Sequence, residues 1–499
     1  MNVANSGSVR ETARRIAVIG GGISGLAAAH RLVELEPACE VVLFEKRDRI
    51  GGALWTEHEE GFQIEQGVDN FITTLPWGLD LCRRLGLSDQ LVTTNPDYRR
   101  VFVVRRRRLC KLPDGFLMMA PTRMWPLAVT PILSPLGKLR CAMEYFLKPR
   151  EDQSDESMAA FVRRRLGREA YQRLVEPLVA AVYAADLEKL SVLATLPRFR
   201  EMEREHGSLI RAMRKQMIER RKHSKGRQAG ESGARFSMFV TLRNGLSSMV
   251  DAIAARLPDV RLDTAVERLE REGERWRLIF TKPRPAVAPP IKPRPAVAPN
   301  DTETFDAVII AAPSYATADL LRPHDTELAD KLASIAHSGT AVVTFGFERE
   351  QISHPLDGMG IVVPAVENCP ILACSLSSRK YPHRAPEGKV LLRAFVGGTR
   401  FPEMAEMAEP ALRPRVLGKL TSLLGIAGGP IYQSIARWPR TMPQYHVGHK
   451  DLVAGIEARA AGLPAIELCG NAYHGVGIPD CIHGAEQAAE RILADARGS

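Results

Sequence analysis

An α/β fold, α+β overall, is predicted by three features of the 499-residue chain. Near the N-terminus, an apolar run (16–19) meets a glycine turn, a helix-like stretch (24–35), a second apolar run (41–44) and then Glu45. That order is the pattern of a β-α-β unit. Far downstream, residues 306–313 (DAVIIAAP) read as a buried strand, and 341–347 and 390–396 as strands of a second sheet. From Pro113 to Arg227, apolar and cationic residues alternate at helical spacing, which predicts a mainly helical insertion.

The first turn is the most informative element. Gly20-Gly21-Gly22-Ile23-Ser24-Gly25 contains GxGxxG between strand and helix. Its first glycine allows the tight turn, its second lets backbone approach a pyrophosphate, and its third lets helix and strand pack closely. Glu45 lies 20 residues beyond Gly25, where an acid accepts from ribose hydroxyls. Strand, turn, helix and acid in register predict a Rossmann-type dinucleotide-binding domain. Arg49-Ile50-Gly51-Gly52 follows, a second glycine pair able to pass close to the cofactor. In the insertion, Pro121, Pro126, Pro131 and Pro135 interrupt the first part and Gly207 marks a later turn. Residues 282–299 carry KPRPAVAP twice, a polyproline-like composition suited to a surface loop between strands at 276–281 and 307–311. A glycine-rich turn after 468–470 leads into a closing helix over 480–496, with Pro479 in its first turn.

Composition excludes several classes. With 45% hydrophobic and 25% charged residues, the chain is neither disordered nor fibrous. The eight cysteines are scattered without a CxxC pair, which argues against a disulfide scaffold or zinc ribbon and suits a reducing compartment. No apolar run reaches the length of a membrane-spanning helix, and residues 1–14 lack an apolar signal core, so a cytoplasmic location is expected. The formal charge of +10 favours anionic partners. Its densest stretches, 105–108 and 211–227, lack the interleaved aromatics of a nucleic-acid platform, and nucleic acid is not an expected partner. His446 and His449, and His474 and His483, have no Cys/His cluster to complete a metal site, and no metal is expected.

The segment GNAYHGVGIPDCI (470–482) is similar to the C-terminal motif of the protoporphyrinogen/coproporphyrinogen oxidase family. Other stretches resemble that family in its order: GFQIEQGVDNF (61–71), EPLVAAVYAADLEKLS (176–191), MEREHGSLIRAM (202–213), YPHRAPEG (381–388), FVGGTR (395–400) and RWPRTMPQYHVGH (437–449). At 61–71 the family usually reads GPDSF, and Val68 and Asn70 stand in place of its proline and serine. The resemblance runs from about Ile16 to Ile492, apart from the proline-rich stretch. It implies an amine-oxidase-like flavoprotein fold, an FAD cofactor, and six-electron oxidation of a porphyrinogen with O2 as acceptor and hydrogen peroxide as product.

The resemblance also implies site residues. Gly20, Gly21, Gly22, Ile23, Ser24 and Gly25 would hold the pyrophosphate and Glu45 the adenosine ribose, with Lys46 also among the cofactor-binding residues. Ala53, Gly67, Val68, Asp69 and Asn70 would line the FAD path, and the backbone of Val266 would meet adenine. Trp438, Val476, Gly477 and Ile478 would sit at the flavin end. Arg100 aligns with an arginine that holds a substrate propionate, and Met359 and Leu376 fall at the macrocycle walls; all three also read as a surface cation and plain core residues. No side-chain catalyst is assigned, because the cofactor carries the redox chemistry. Three units follow: an FAD domain (14–90, 233–312, 455–499), a substrate domain (91–112, 313–454) and a helical insertion (113–232). Four propionates on coproporphyrinogen III against two on protoporphyrinogen IX, set beside the basic composition, favour the former. The apolar stretch 116–136 could lie on a bilayer or against a dimer partner. Flavin amine oxidase, carotenoid desaturase and a non-catalytic escort are the rival readings of the same framework.

Overall fold

The computed structural model describes residues 13–225, 238–281 and 301–498. A five-stranded parallel sheet runs in the order Asp259–Arg261, Glu40–Phe44, Arg15–Ile19, Ala307–Ile310, Ile466–Leu468. A parallel sheet must be covered on both faces, which is why these strands read as unbroken apolar runs such as IAVI, VVLF and AVII. On one face, Ile16, Val18, Val41 and Leu43 pack against the helices Ile23–Leu35 and Ile478–Gly498. On the other, Ala17, Val42, Phe44 and Val308 meet the three-stranded sheet Ala265–Glu272, Arg275–Thr281, Asp301–Phe305.

That second face corrects the expected domain boundaries. The helices Ser314–Leu321, Thr326–Ala333 and His449–Ala460 contribute Leu321, Leu328, Leu332, Val453 and Ile456 to the same core. Their apolar stripes are buried beneath the nucleotide sheet, so residues 314–333 and 449–454 leave the substrate unit and join the first domain.

The substrate unit is a seven-stranded mixed sheet ordered Tyr432–Pro443, His337–Glu348, Lys389–Gly397, Ile371–Leu376, Gly360–Val362, Val101–Arg105, Arg108–Lys111. One face is covered by the helix Glu409–Leu424, whose Leu412, Val416, Leu420 and Leu424 stand four apart along one stripe and pack on Val343, Phe345 and Leu392. The opposite face carries Val342, Ala436 and Trp438 and meets Ala53 and Trp55 of the nucleotide domain. The arginine run 105–108 forms the tip of a hairpin, with Arg106 and Arg107 at φ +49° and +63°.

The insertion is helical, as its periodicity predicts, around Phe161, Leu166, Leu174, Val179 and Phe199. Gly207 (φ +70°) separates the helices Pro197–His206 and Leu209–Lys225. A buried ion pair crosses its core: Arg165 and Glu144 are both fully buried, and Glu144 also accepts from Ser208 Oγ (2.6 Å) and the Leu209 N–H (2.8 Å). The KPRPAVAP duplication and residues 226–237 lie outside the described residues, as does the start of the chain to residue 12.

Candidate active site

The glycine turn has the geometry its spacing demands. Gly20 adopts φ +110°, and a Cβ there would stand 2.8 Å from the Ala311 carbonyl oxygen. A Cβ on Gly25 would lie 1.8 Å from the Gly20 carbonyl oxygen, so only glycine lets the helix sit this close to the strand. Gly22, by contrast, has nothing within 4 Å of its Cβ position. It begins the helix Ile23–Leu35 without any side-chain cap, leaving first-turn N–H groups for an outside acceptor.

Around this turn the chain assembles a cradle. The Glu45 carboxylate accepts from the Gly21 N–H at 2.7 Å and the Arg47 N–H at 2.8 Å, which fixes it at the turn with lone pairs to spare. Lys46 beside it is exposed. Gly51 donates to the Gly21 oxygen at 2.7 Å, and Gly52 would bring a Cβ to 3.2 Å of Gly22 Cα, so the two glycine pairs are in direct contact. Thr264 and Asp263 donate to the Glu45 and Arg47 carbonyls, each at 2.8 Å. This zips the start of the strand Ala265–Glu272 alongside Glu45 and carries Val266 there. The strand is an edge strand with a bulge after Val266, so backbone groups on its outer side have no sheet partner.

The second half of the path runs over Gly67. A Cβ at Gly67 would be 2.2 Å from the Ala53 oxygen and 3.1 Å from the Trp438 ring, and Val68 donates to the same Ala53 oxygen at 3.1 Å. Trp438 is held by its Nε1–H on the Gln66 oxygen (2.8 Å) and meets Trp55 edge-on, with the Arg49 guanidinium 4.3 Å over Trp55. Val476 packs on the insertion core while Ile478 packs on the nucleotide core, so the loop through Gly477 joins the two. Asp480 folds back on it: a Cβ at Gly475 would come within 2.5 Å of its Cγ, and burial raises the Asp480 pKa.

Asp69 is the unexpected centre of the site. Arg384 Nη1 stands 3.1 Å from its carboxylate, Lys380 Nζ 3.4 Å and Arg393 Nη1 3.5 Å, and Asn70 donates to it from the next position. The three cations overcome burial and hold the Asp69 carboxyl far below the usual range. Sequence reading missed Lys380, Arg384 and Arg393. A signal existed for the last: Arg393 is the one charge inside the apolar strand segment VLLRAFV.

The substrate assignments fare unevenly. Arg100, Met359 and Leu376 do come together at one sheet end, since Met359 donates to the Arg100 oxygen (2.8 Å) and Leu376 to the Met359 oxygen (3.0 Å). Arg100 is half-exposed and paired with Asp357 at 2.9 Å, with Lys111 on the same carboxylate. Leu376, however, is fully buried with Phe102, Ile361 and Leu392 in the helix-covered layer, which corrects its expected place at a macrocycle wall. Its neighbour Ser375 pairs with Arg393 and takes the opposite face. The histidines have structural partners: His449 stacks on Tyr445 at 4.0 Å, His483 on Trp77 at 3.9 Å, and His474 pairs with Glu457 at 2.6 Å. Among the described residues no group of three or more His, Cys, Asp or Glu is arranged to hold a metal.

The turn, the fixed acid, the paired glycines and the edge strand form one cradle in the nucleotide domain, and known proteins share the chain's family. Residues 23–493 match the family described as flavin containing amine oxidoreductase. The chain is 33% identical over 487 residues to a coproporphyrinogen III oxidase of Bacillus subtilis (strain 168), covering 96% of this chain and 98% of that protein. It is 30% identical to a chloroplastic protoporphyrinogen oxidase of Nicotiana tabacum, over 95% of this chain and 84% of that one. A crystal structure provisionally assigned as a protoporphyrinogen oxidase, from Exiguobacterium sp. 255-15, superposes with a TM-score of 0.82 at 30% identity, covering 97% and 99% of the two chains. The chain belongs to the flavin-containing amine oxidoreductase family, among its porphyrinogen oxidases.

Proposed function

We propose that this chain binds FAD and oxidises coproporphyrinogen III to coproporphyrin III, with dioxygen as acceptor and hydrogen peroxide as product. The observation that carries the reading is the continuous cradle from Gly20–Gly25 and Glu45, past Gly51 and Gly52, to Gly67, Val68 and Trp438. In it Gly22 and the uncapped helix would hold the pyrophosphate, Glu45 the ribose, and the open edge at Val266 the adenine. Bound FAD would supply a two-electron acceptor for each hydride taken from the macrocycle. The chain's own part is to seat and orient both partners and to keep water out, through the packing of Trp438, Trp55 and the loop at Gly477. Preference for the tetracarboxylate is supported by the charge of +10 and by the 98% coverage of the bacterial coproporphyrinogen III oxidase.

Arg100 would meet a propionate by exchanging Asp357 for the substrate's carboxylate. Arg100→Ala is expected to raise KM about tenfold or more with a smaller change in kcat, the loss of one charge-assisted pair worth ~1.5–3 kcal/mol. Steady-state oxidation of coproporphyrinogen III reads this, and an unchanged KM removes Arg100 from the site.

No helix among the described residues is long and apolar enough to cross a membrane. A surface contact is supported instead by an exposed apolar strip on the insertion: Trp125 (76% exposed), Leu136 (78%), Leu139 and Phe146 (78%), flanked by Arg211, Arg214 and Lys215 around Tyr145. Within 116–136, Trp125, Val129 and Leu136 are exposed while Phe116, Met119, Leu127, Ile132 and Leu133 are buried in the insertion core, and the exposed residues continue beyond it to Leu139 and Phe146. Its combination of apolar tips and cations suits an anionic bilayer surface. The full chain is expected to co-sediment with phosphatidylglycerol vesicles at low salt, and Trp125→Ser/Phe146→Ser to abolish this while leaving flavin content unchanged. Absence of sedimentation, with dimers in solution, would show instead that a second copy covers the strip.

A further inference from the structure

Arg393 is fully buried and its guanidinium lies 5.3 Å from the centre of the Phe395 ring, yet most of its N–H groups have no hydrogen-bond acceptor among the described residues. Its Nη2–H donates to the Gly67 oxygen at 2.6 Å. Nη1 stands 3.5 Å from Asp69 without making a hydrogen bond, and Nε has no partner at all. A guanidinium carries five donors, and leaving buried donors unmet costs roughly 1–3 kcal/mol each. Such groups persist where something outside the chain satisfies them.

Three facts locate that something. Register places Arg393 on the sheet face of Val342, Ala436 and Trp438, the face turned to the nucleotide domain, because Val342 pairs with Phe395 and with Ala436. Its anchor, the Gly67 oxygen, belongs to the segment that closes over Ala53 and beneath the Trp438 ring. Its surroundings are short of negative charge: among the described residues, Lys380, Arg384 and Arg393 have two carboxylates within ion-pair distance, Asp69 for all three and Glu65 for Arg384. Burial outweighs Asp69 and lowers the Arg393 pKa, as expected for a cation lacking a full counter-charge.

We propose that Arg393 donates to the polar edge of the bound flavin ring and stabilises the negative charge that edge gains on reduction, with Asp69 setting how much of the cation's charge is left to do so. This rests on the FAD reading above. A fixed donor in a water-free pocket is strong because little reorganisation opposes it. Arg393 would then act on the electron-accepting power of the cofactor and not on the macrocycle.

The test uses the flavin-loaded full chain without porphyrinogen, reading the midpoint potential of the bound flavin and its affinity for sulfite, a small anion that adds to the ring. Arg393→Gln is expected to weaken stabilisation of the reduced ring about tenfold, a fall of about 30 mV for a two-electron couple, and to weaken sulfite binding similarly. Asp69→Asn shifts both in the opposite direction, and Arg393→Lys stays near wild type because the charge is kept. A folded, flavin-loaded R393Q with unchanged potential overturns the assignment, as does a change confined to the KM for a porphyrinogen, which would hand the guanidinium to a propionate. Should R393Q not fold, a D69N potential equal to wild type overturns it equally. A wild-type chain that binds no flavin would reject the functional reading itself, so the two failures are distinguishable.

Discussion

Gly25→Ala is expected to yield a protein that purifies without flavin. The added methyl would meet the Gly20 carbonyl oxygen at 1.8 Å, and that oxygen is backbone at the turn itself. Neither partner can swing aside as a flexible side chain would. The helix Ile23–Leu35 must move away from the strand Arg15–Ile19, and with it go the first-turn N–H groups. Overpacking of this kind costs ~3 kcal/mol or more, which is over a hundredfold in affinity if it falls on the cradle. Gly22→Ala makes a separate test. Its Cβ would meet nothing within 4 Å and its φ of −73° suits any residue, so the chain should fold and melt as wild type. If that space is where a pyrophosphate comes close to the backbone, G22A nevertheless loses flavin. Absorbance at the flavin band per mole of protein, beside a thermal melt, separates the two. A yellow G25A at full stoichiometry would contradict the geometry.

Glu144→Ala is expected to destabilise the helical insertion by ~3–5 kcal/mol, the usual cost of leaving a buried charge without its partner. Arg165 is fully buried and bonds to Glu144 through Nε at 2.9 Å and again through Nη2. Its other carboxylate, Glu203, is 3.4 Å away and already engaged by Arg164 and Arg200. The loss is twofold, because Glu144 also accepts from Ser208 Oγ and from the N–H groups of Leu209 and Ile210 at the start of a long helix. Hence Glu144→Ala/Arg165→Met should recover only part of the stability: it removes the stranded charge but leaves the Leu209 and Ile210 N–H groups without their acceptor, with Ser208 Oγ capping only the Arg211 N–H. Urea unfolding of the three proteins measures this. Full recovery in the double variant would mean that the capping contributes nothing.

What the sequence conveyed depended on whether the determinant was local. Gly20, Gly25 and Glu45 are close in the chain, and each has a spacing that only a β-α-β turn explains, so that half of the site was legible residue by residue. The second half came from resemblance, since Gly67 and Trp438 are brought together only by tertiary packing, and Val476 meets the insertion core the same way. Leu376 shows a different failure. The central strands are apolar on both faces, so composition does not phase them, and a one-residue difference exchanges Leu376 for Ser375 on the face of Arg393. The domain limits slipped at residues 314–333 because an amphipathic helix declares that it has a buried face but not which sheet buries it. The same ambiguity hid which apolar residues of 116–136 face outward: Trp125, Val129 and Leu136 do, and Phe116, Leu127 and Ile132 do not. The charge cluster at Asp69 was least legible of all: Lys380, Arg384 and Arg393 are separated from it by more than 300 residues.

The most direct measurement of the central claim is the growth of porphyrin fluorescence under air, with the purified yellow protein given coproporphyrinogen III and protoporphyrinogen IX in parallel. Oxidation of both is expected, with a higher kcat/KM for coproporphyrinogen III and a preference that shrinks in Arg100→Ala. Turnover of neither porphyrinogen by a protein that holds FAD, or peroxide release with a monoamine alone, would contradict it.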